Sequence, residues 1–174
     1  DLTAARLREL ELSAVTRISL GVQSFQSDKL SVLERDHNAD DVRAVVRAIA
    51  DGSRCSTSLD LIFGAPGESP DDWYRDLEDA VSLRPDHISL YGLTFERGTS
   101  FWSRRLKGEL RSQEEEAERA MYLTAIDHLT AAGFEHYETS NFARPGHRCR
   151  HNETYWAARE YYGVGPGAAQ IGRA

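Results

Sequence analysis

Asp60 is the residue that asks for a chemical explanation. It stands inside an apolar run, Leu59-Asp60-Leu61-Ile62. A carboxylate buried without a partner costs several kcal/mol. A salt bridge, a loop cap or a ligand would each answer that cost. Polar residues at alternating positions of two neighbouring runs favour a ligand: Arg17, Ser19, Gly21 and Gln23 in one, His87, Ser89 and Tyr91 in the other. A second group lies further on, in His151-Asn152-Glu153-Thr154-Tyr155-Trp156, with His147 and Cys149 just before it. An imidazole with two aromatic residues one helical turn later suits a haem iron with rings covering a porphyrin face. It also suits a packed aromatic helix holding a satisfied histidine. His147, Cys149 and His151 alternate as metal ligands can, but a zinc site needs further ligands that the spacing does not supply. Gly64-Ala65-Pro66-Gly67 is a strand-to-helix turn, and no Gly-Lys-Ser/Thr follows to make it a phosphate loop. Gly163-Val164-Gly165-Pro166-Gly167 is either a turn or a place where backbone approaches a cofactor closely.

These residues need elements to position them, and the hydrophobic pattern supplies alternating strands and helices. An amphipathic helix around Leu2, Leu7, Leu10 and Leu12 opens the chain. A strand is expected over 15–22, with Ile18, Leu20 and Val22 on one face. A helix follows over 40–50, capped at Asn38 or Asp40 and ended by Gly52. A second strand covers 58–63, a helix 70–83 stopped before Pro85, and a third strand 87–94. Short connections and buried-type strands imply parallel pairing with right-handed crossovers. Three such strands, each with one polar face, make part of a barrel with a polar lumen. In barrels of this kind ligands collect at the C-terminal strand ends, where Gln23, Gly64 and Thr94 fall. The second half is expected to hold a short helix over 101–109, a long one over 114–132 ended by Gly133, and a short strand over 135–140. Residues 141–167 read as irregular. Glu114-Glu115-Glu116 is a solvated helix start.

Composition narrows the function classes. The chain has 174 residues, 40% hydrophobic and 28% charged, which is globular rather than disordered. Its 21 Lys+Arg against 28 Asp+Glu give a net charge of −7, which disfavours a nucleic-acid partner. No apolar run reaches the roughly 18 residues of a membrane span. Two cysteines, Cys55 and Cys149, are too few for a disulfide scaffold, so a cytoplasmic setting is expected. The chain opens at Asp1 inside a helical pattern and closes just after a glycine-rich stretch, which reads as the interior of a longer protein.

Three segments resemble the oxygen-independent coproporphyrinogen III oxidase family of radical SAM proteins: 17–25 (RISLGVQSF), 59–67 (LDLIFGAPG) and 137–146 (YETSNFARPG). The segments 151–156 and 163–168 are similar to its haem-chaperone branch, HemW. The resemblance implies an α/β fold, the back half of an incomplete parallel (β/α)6 barrel over 1–95, then a mostly helical C-terminal extension over 96–174. It implies S-adenosylmethionine, a [4Fe-4S] cluster and haem as cofactors of the intact protein. Gln23, Arg35 and Asp60 are then S-adenosylmethionine contacts, with Thr94 and Ala169 as backbone contacts. His151, Asn152, Tyr155 and Trp156 are then haem contacts, with His151 on the iron. The expected partners are haem or a porphyrin and a haem-accepting apo-protein. The chaperone branch transfers haem, whereas the oxidase branch decarboxylates two propionates by radical chemistry. A piece of the barrel standing alone would be inactive and would leave its first strand unpaired. The chain departs from the family in two places. The Cys-x-x-x-Cys-x-x-Cys cluster motif is absent, and Ala168-Ala169-Gln170 stands where the family has Ala-His-Ser.

Overall fold

The computed structural model describes residues 4–165. One five-stranded sheet carries the chain, in the order β1-β2-β3-β5-β4. Strands β1 (Arg17–Gln23), β2 (Ser56–Phe63) and β3 (His87–Gly92) run parallel. Strands β4 (Glu135–Glu138) and β5 (Asn141–Ala143) form an antiparallel hairpin, and β5 joins β3. The helices are α1 (Ala4–Glu11), α2 (Ser27–Val32), α3 (Ala39–Gly52), α4 (Pro70–Ser82), α5 (Ser100–Leu106), α6 (Glu115–Ala131) and α7 (Arg150–Trp156). The α/β class, the parallel sheet and its connections agree with the sequence pattern.

Local chemistry sets the boundaries. Asn38 caps α3 by accepting from the backbone of Asp40 and Asp41, and Asp41 reaches back to the Asn38 N–H. Ser69 and Asp72 do the same for α4, with Pro70 at its first turn. Three differences from the sequence reading stand out. A short helix, α2, fills the segment after β1, and the single strand expected over 135–140 is a hairpin that continues through Ala143. Phe142 and Ala143 are fully buried, so packing rather than alternation selects β5. Helix α7 likewise lies in the segment that read as irregular.

One sheet face is apolar and lies under the helices. Leu59, Leu61, Ile88, Leu90 and Phe142 meet Trp73, Leu77 and Ala80 of α4 and Met121, Ala125 and Leu129 of α6. Trp73 is fully buried and donates Nε1–H to the Met121 carbonyl at 2.8 Å, joining α4 to α6.

A buried polar cluster fixes the turns after β1 and β2. Lys29 of α2 donates to Glu68 and, at 2.9 Å, to Asp76 of α4. Asp76 also accepts from the Ser24 hydroxyl at 2.7 Å and from the Phe25 N–H at 2.7 Å. Glu68 accepts from the Ala65 N–H at 2.9 Å. The Lys29 ammonium lies 5.0 Å from the Trp73 ring centroid. Burial raises the Glu68 pKa above the usual carboxylate range, against the pull of Lys29. Removing the cation therefore strands two buried carboxylates. Lys29→Met is expected to cost about 3–5 kcal/mol of stability, whereas cutting the exposed Arg119–Glu116 pair costs under about 0.5 kcal/mol. Urea unfolding of the full-length protein checks this, and equal losses from the two substitutions would contradict it.

Candidate functional site

The face of the sheet opposite the helices is polar, and strand register assembles it into rows. Ser19, Ser58, His87 and Ala143 are paired neighbours in one row. Gly21, Asp60, Ser89 and Asn141 form the next. Ile62 and Tyr91 lie one step further toward the C-terminal strand ends. This is the alternating polar set expected from sequence, with Asn141 added by the hairpin.

Asp60 sits at the centre of these rows. It accepts from the Ser19 hydroxyl at 2.9 and 3.0 Å and from Ser89. Burial raises its pKa, and these two hydroxyls only partly offset that rise. Among the described residues no lysine or arginine pairs with it, so a structural salt bridge is not its role. Ser89 also hydrogen-bonds Tyr91, whose pKa is raised by burial and by the charges of Asp60 and Glu138. Asn141 is buried. Its Nδ2 donates to Glu138, and its Oδ1 has no partner among the described residues. A carboxylate held only by hydroxyls, beside an unsatisfied amide oxygen, is a donor-seeking surface.

The C-terminal strand ends carry the other expected contacts. Gln23 ends β1 with φ +64°, and its side chain folds back over Gly21. A Cβ on Gly21 would meet Gln23 Nε2 at 2.9 Å, so the small residue makes room for the amide. Arg35 is exposed and shares an open groove with Ser19, Gly21 and His37. His37 Nε2 bonds the Val22 carbonyl at 2.8 Å. Thr94 is exposed just beyond β3. Ala169 lies outside the described residues. Gln23, Arg35 and Thr94 therefore gather at one end of the sheet, with Asp60 below them.

His151, Asn152, Tyr155 and Trp156 are tied to the opposite end. Asn152 Nδ2 and the Cys149 N–H both donate to the Tyr137 hydroxyl at 3.3 Å. That hydroxyl spends its own proton on His87 Nε2 at 2.8 Å. His87 is therefore neutral, with its remaining proton on Nδ1, donated to the Ser58 hydroxyl at 2.8 Å. Arg17, which opens β1, donates to the His147 carbonyl. His87 opens β3, whose six residues span about 17 Å, so the two groups of contacts lie at opposite ends of the strands. His151 itself is exposed, with its ring edge-on to Tyr161 at 4.8 Å. Tyr155 and Trp156 are 51% and 65% exposed, an unusual display for rings of that size. His147, Cys149 and His151 do not converge: among the described residues no group of three or more His, Cys, Asp or Glu could hold a metal ion.

Sequence reasoning missed Lys29, Glu68, Asp76 and Tyr137. Asp76 had a signal, because helical spacing puts it on the buried stripe of Trp73, Leu77 and Ala80. Tyr137 had none, because its role depends on a helix that returns from later in the chain.

Comparison with known proteins decides the family. The chain is 41% identical over 167 residues to the radical S-adenosyl methionine domain-containing protein 1, mitochondrial, of Danio rerio, covering 94% of this chain and 37% of that protein. It is 42% identical over 154 residues to the heme chaperone HemW of Synechocystis sp., covering 88% and 37%. It is 41% identical over 160 residues to the heme chaperone HemW of Mycobacterium tuberculosis, covering 91% and 41%. The chain belongs to the HemW family of radical SAM proteins. It spans about two-fifths of the length of these HemW relatives. No family profile matches it. Among solved structures, coproporphyrinogen III oxidase (HemN) from Escherichia coli, a radical SAM enzyme, superposes with a TM-score of 0.78 at 20% identity, over 98% of this chain and 42% of that one. The archaeal Elp3 of Methanocaldococcus infernus gives 0.62 at 22% identity. These two likenesses establish the fold, and a match to 42% of the HemN chain agrees with a partial barrel.

The His87 arrangement has a pH signature. Burial, and then the charge of Arg17, lower its pKa from 6.5 to about 3. The unfolded chain binds a proton that the folded one refuses, so the stabilisation is complete above pH 6.5 and is lost as pH falls toward 3. The slope contributed is about 1.4 kcal/mol per pH unit. Urea midpoints measured across this range are expected to fall less steeply in His87→Gln than in the unaltered protein. Identical slopes would show that His87 is protonated in the fold.

Proposed function

We propose that this HemW-family protein binds haem through the α7 segment and delivers it to apo-proteins, and that it holds S-adenosylmethionine at the C-terminal strand ends. The display of His151 with the Tyr155 and Trp156 rings, on a helix anchored from below by Asn152 and Tyr137, carries the haem reading. An exposed imidazole on a fixed helix is available as an axial ligand, and the adjacent rings offer apolar area to a macrocycle. The name of the curated relatives, heme chaperone, points the same way.

The residues at the other end fit S-adenosylmethionine. Among the described residues Asp60 has hydroxyl donors but no cation, so it can accept from ribose hydroxyls or an ammonium. Arg35, exposed at the rim, can pair with a carboxylate. Gln23, folded over Gly21, offers both an amide donor and an acceptor. When bound at an iron–sulfur cluster, the sulfonium supplies one-electron radical chemistry. The cluster is not held here: Cys55 and Cys149 are the chain's two cysteines, and three thiolates are required. A reducing cytoplasm suits two free thiols. On this reading the barrel part ends near residue 95, and the later segments carry the haem contacts. The alternative is porphyrinogen decarboxylation, favoured by the polar strand face beneath the proposed cofactor site.

Haemin titration of the full-length protein tests the haem reading. A shifted Soret band is expected, and His151→Ala is expected to abolish the shift. The same shift with the same affinity in His151→Ala would overturn it.

A further inference from the structure

We propose that the segment leaving β3 forms a carboxylate clamp, built from Arg97, Trp102 and Arg105, at the mouth of the polar strand face. The guanidinium of Arg97 lies 5.8 Å from the Trp102 ring centroid, and that of Arg105 lies 5.7 Å from the same ring. Arg105 also sits 5.2 Å from the Phe95 ring. Neither arginine has a carboxylate within ion-pair distance among the described residues, in a chain with seven more acidic than basic side chains. Their neighbour Arg104 differs. It is paired with Glu34 at 2.9 Å and lies 3.6 Å from Glu109. The helix dipole accounts for basic residues in the last turn of α5, but not for Arg97, which precedes the helix.

A guanidinium laid on an aromatic face is held in orientation while its N–H edge stays free. Both guanidiniums lie against the same ring, and the planar fork of each favours a carboxylate. Phe95 and Trp102 supply apolar faces alongside, so the surface fits a flat ligand with carboxylate arms. The Thr99 hydroxyl accepts from the Trp102 N–H at 3.1 Å and fixes the start of the helix. The Arg104–Glu34 pair ties α5 across the mouth to the residue next to Arg35. The clamp therefore stands at the end where Gln23 and Thr94 lie, away from His151.

Resting on the porphyrinogen alternative above, which uses this same end of the strand face, the ligand class is a tetrapyrrole bound by its propionates. An iron-free probe separates this from axial ligation. Fluorescence anisotropy of coproporphyrin III, as the free acid and as its tetramethyl ester, is measured with the full-length protein and with the double variant R97Q/R105Q. The variant is expected to bind the acid about tenfold or more weakly, the scale of a charge-assisted pair, and the ester unchanged. Equal binding of the acid by both proteins overturns the clamp, as does equal binding of acid and ester by the unaltered protein. Failure of the His151 assay with haemin leaves this readout unaffected, because the probe has no iron.

Discussion

The buried ammonium of Lys29 constrains more of this structure than any other single group. It neutralises Glu68, which follows β2, and Asp76, which belongs to α4, while Asp76 also holds the backbone and hydroxyl of the turn after β1. Two loops that emerge from adjacent strands are thereby locked to each other and to one helix. Such a cluster is poor evidence for high stability, since apolar replacements of the whole set can do as well. Its consequence is geometric. Gln23 lies immediately before Ser24, and Gly64 immediately before Ala65, so the cluster fixes where the two strands deliver their terminal residues. Trp73 packs against the ammonium and hydrogen-bonds α6, which extends the constraint into the apolar core.

Below those turns, register does the rest. Parallel pairing without a slip between β2 and β3 places Asp60 beside Ser89, and β1 places Gly21 beside Asp60. The polar face then has two ends with different chemistry. The C-terminal end offers an amide, a guanidinium and a hydroxyl-held carboxylate. The N-terminal end is closed by a neutral relay, Ser58 to His87 to Tyr137, which carries α7. The proposed cofactor and haem contacts lie on opposite ends of one strand layer, which suits a protein that handles two different ligands.

Much of this was legible in the sequence because both periodicities were strong. Alternation marked the lumen-facing sets of β1, β2 and β3, and Asp60 stood out against Leu59, Leu61 and Ile62. Asn38 announced its helix through side-chain capping. What stayed hidden depends on contacts between distant segments. Helix α2 is too short and polar to show a stripe, and its Lys29 is buried only because Glu68 and Asp76 arrive from elsewhere. Strand β5 is selected by the burial of Phe142 and Ala143 against β3 rather than by its own pattern. Tyr137 reads as one more aromatic until Asn152 and His87 meet at its hydroxyl.

The hydroxyl-held carboxylate of Asp60 is proposed to bind S-adenosylmethionine. Equilibrium dialysis of that ligand against full-length protein and its Asp60→Asn variant addresses it directly. Affinity about 10- to 100-fold lower is expected, the scale of a buried hydrogen bond to a charge, with thermal stability unchanged or higher because burial already disfavours that charge. Equal affinity, with a drop in stability, would contradict it and make Asp60 a structural residue.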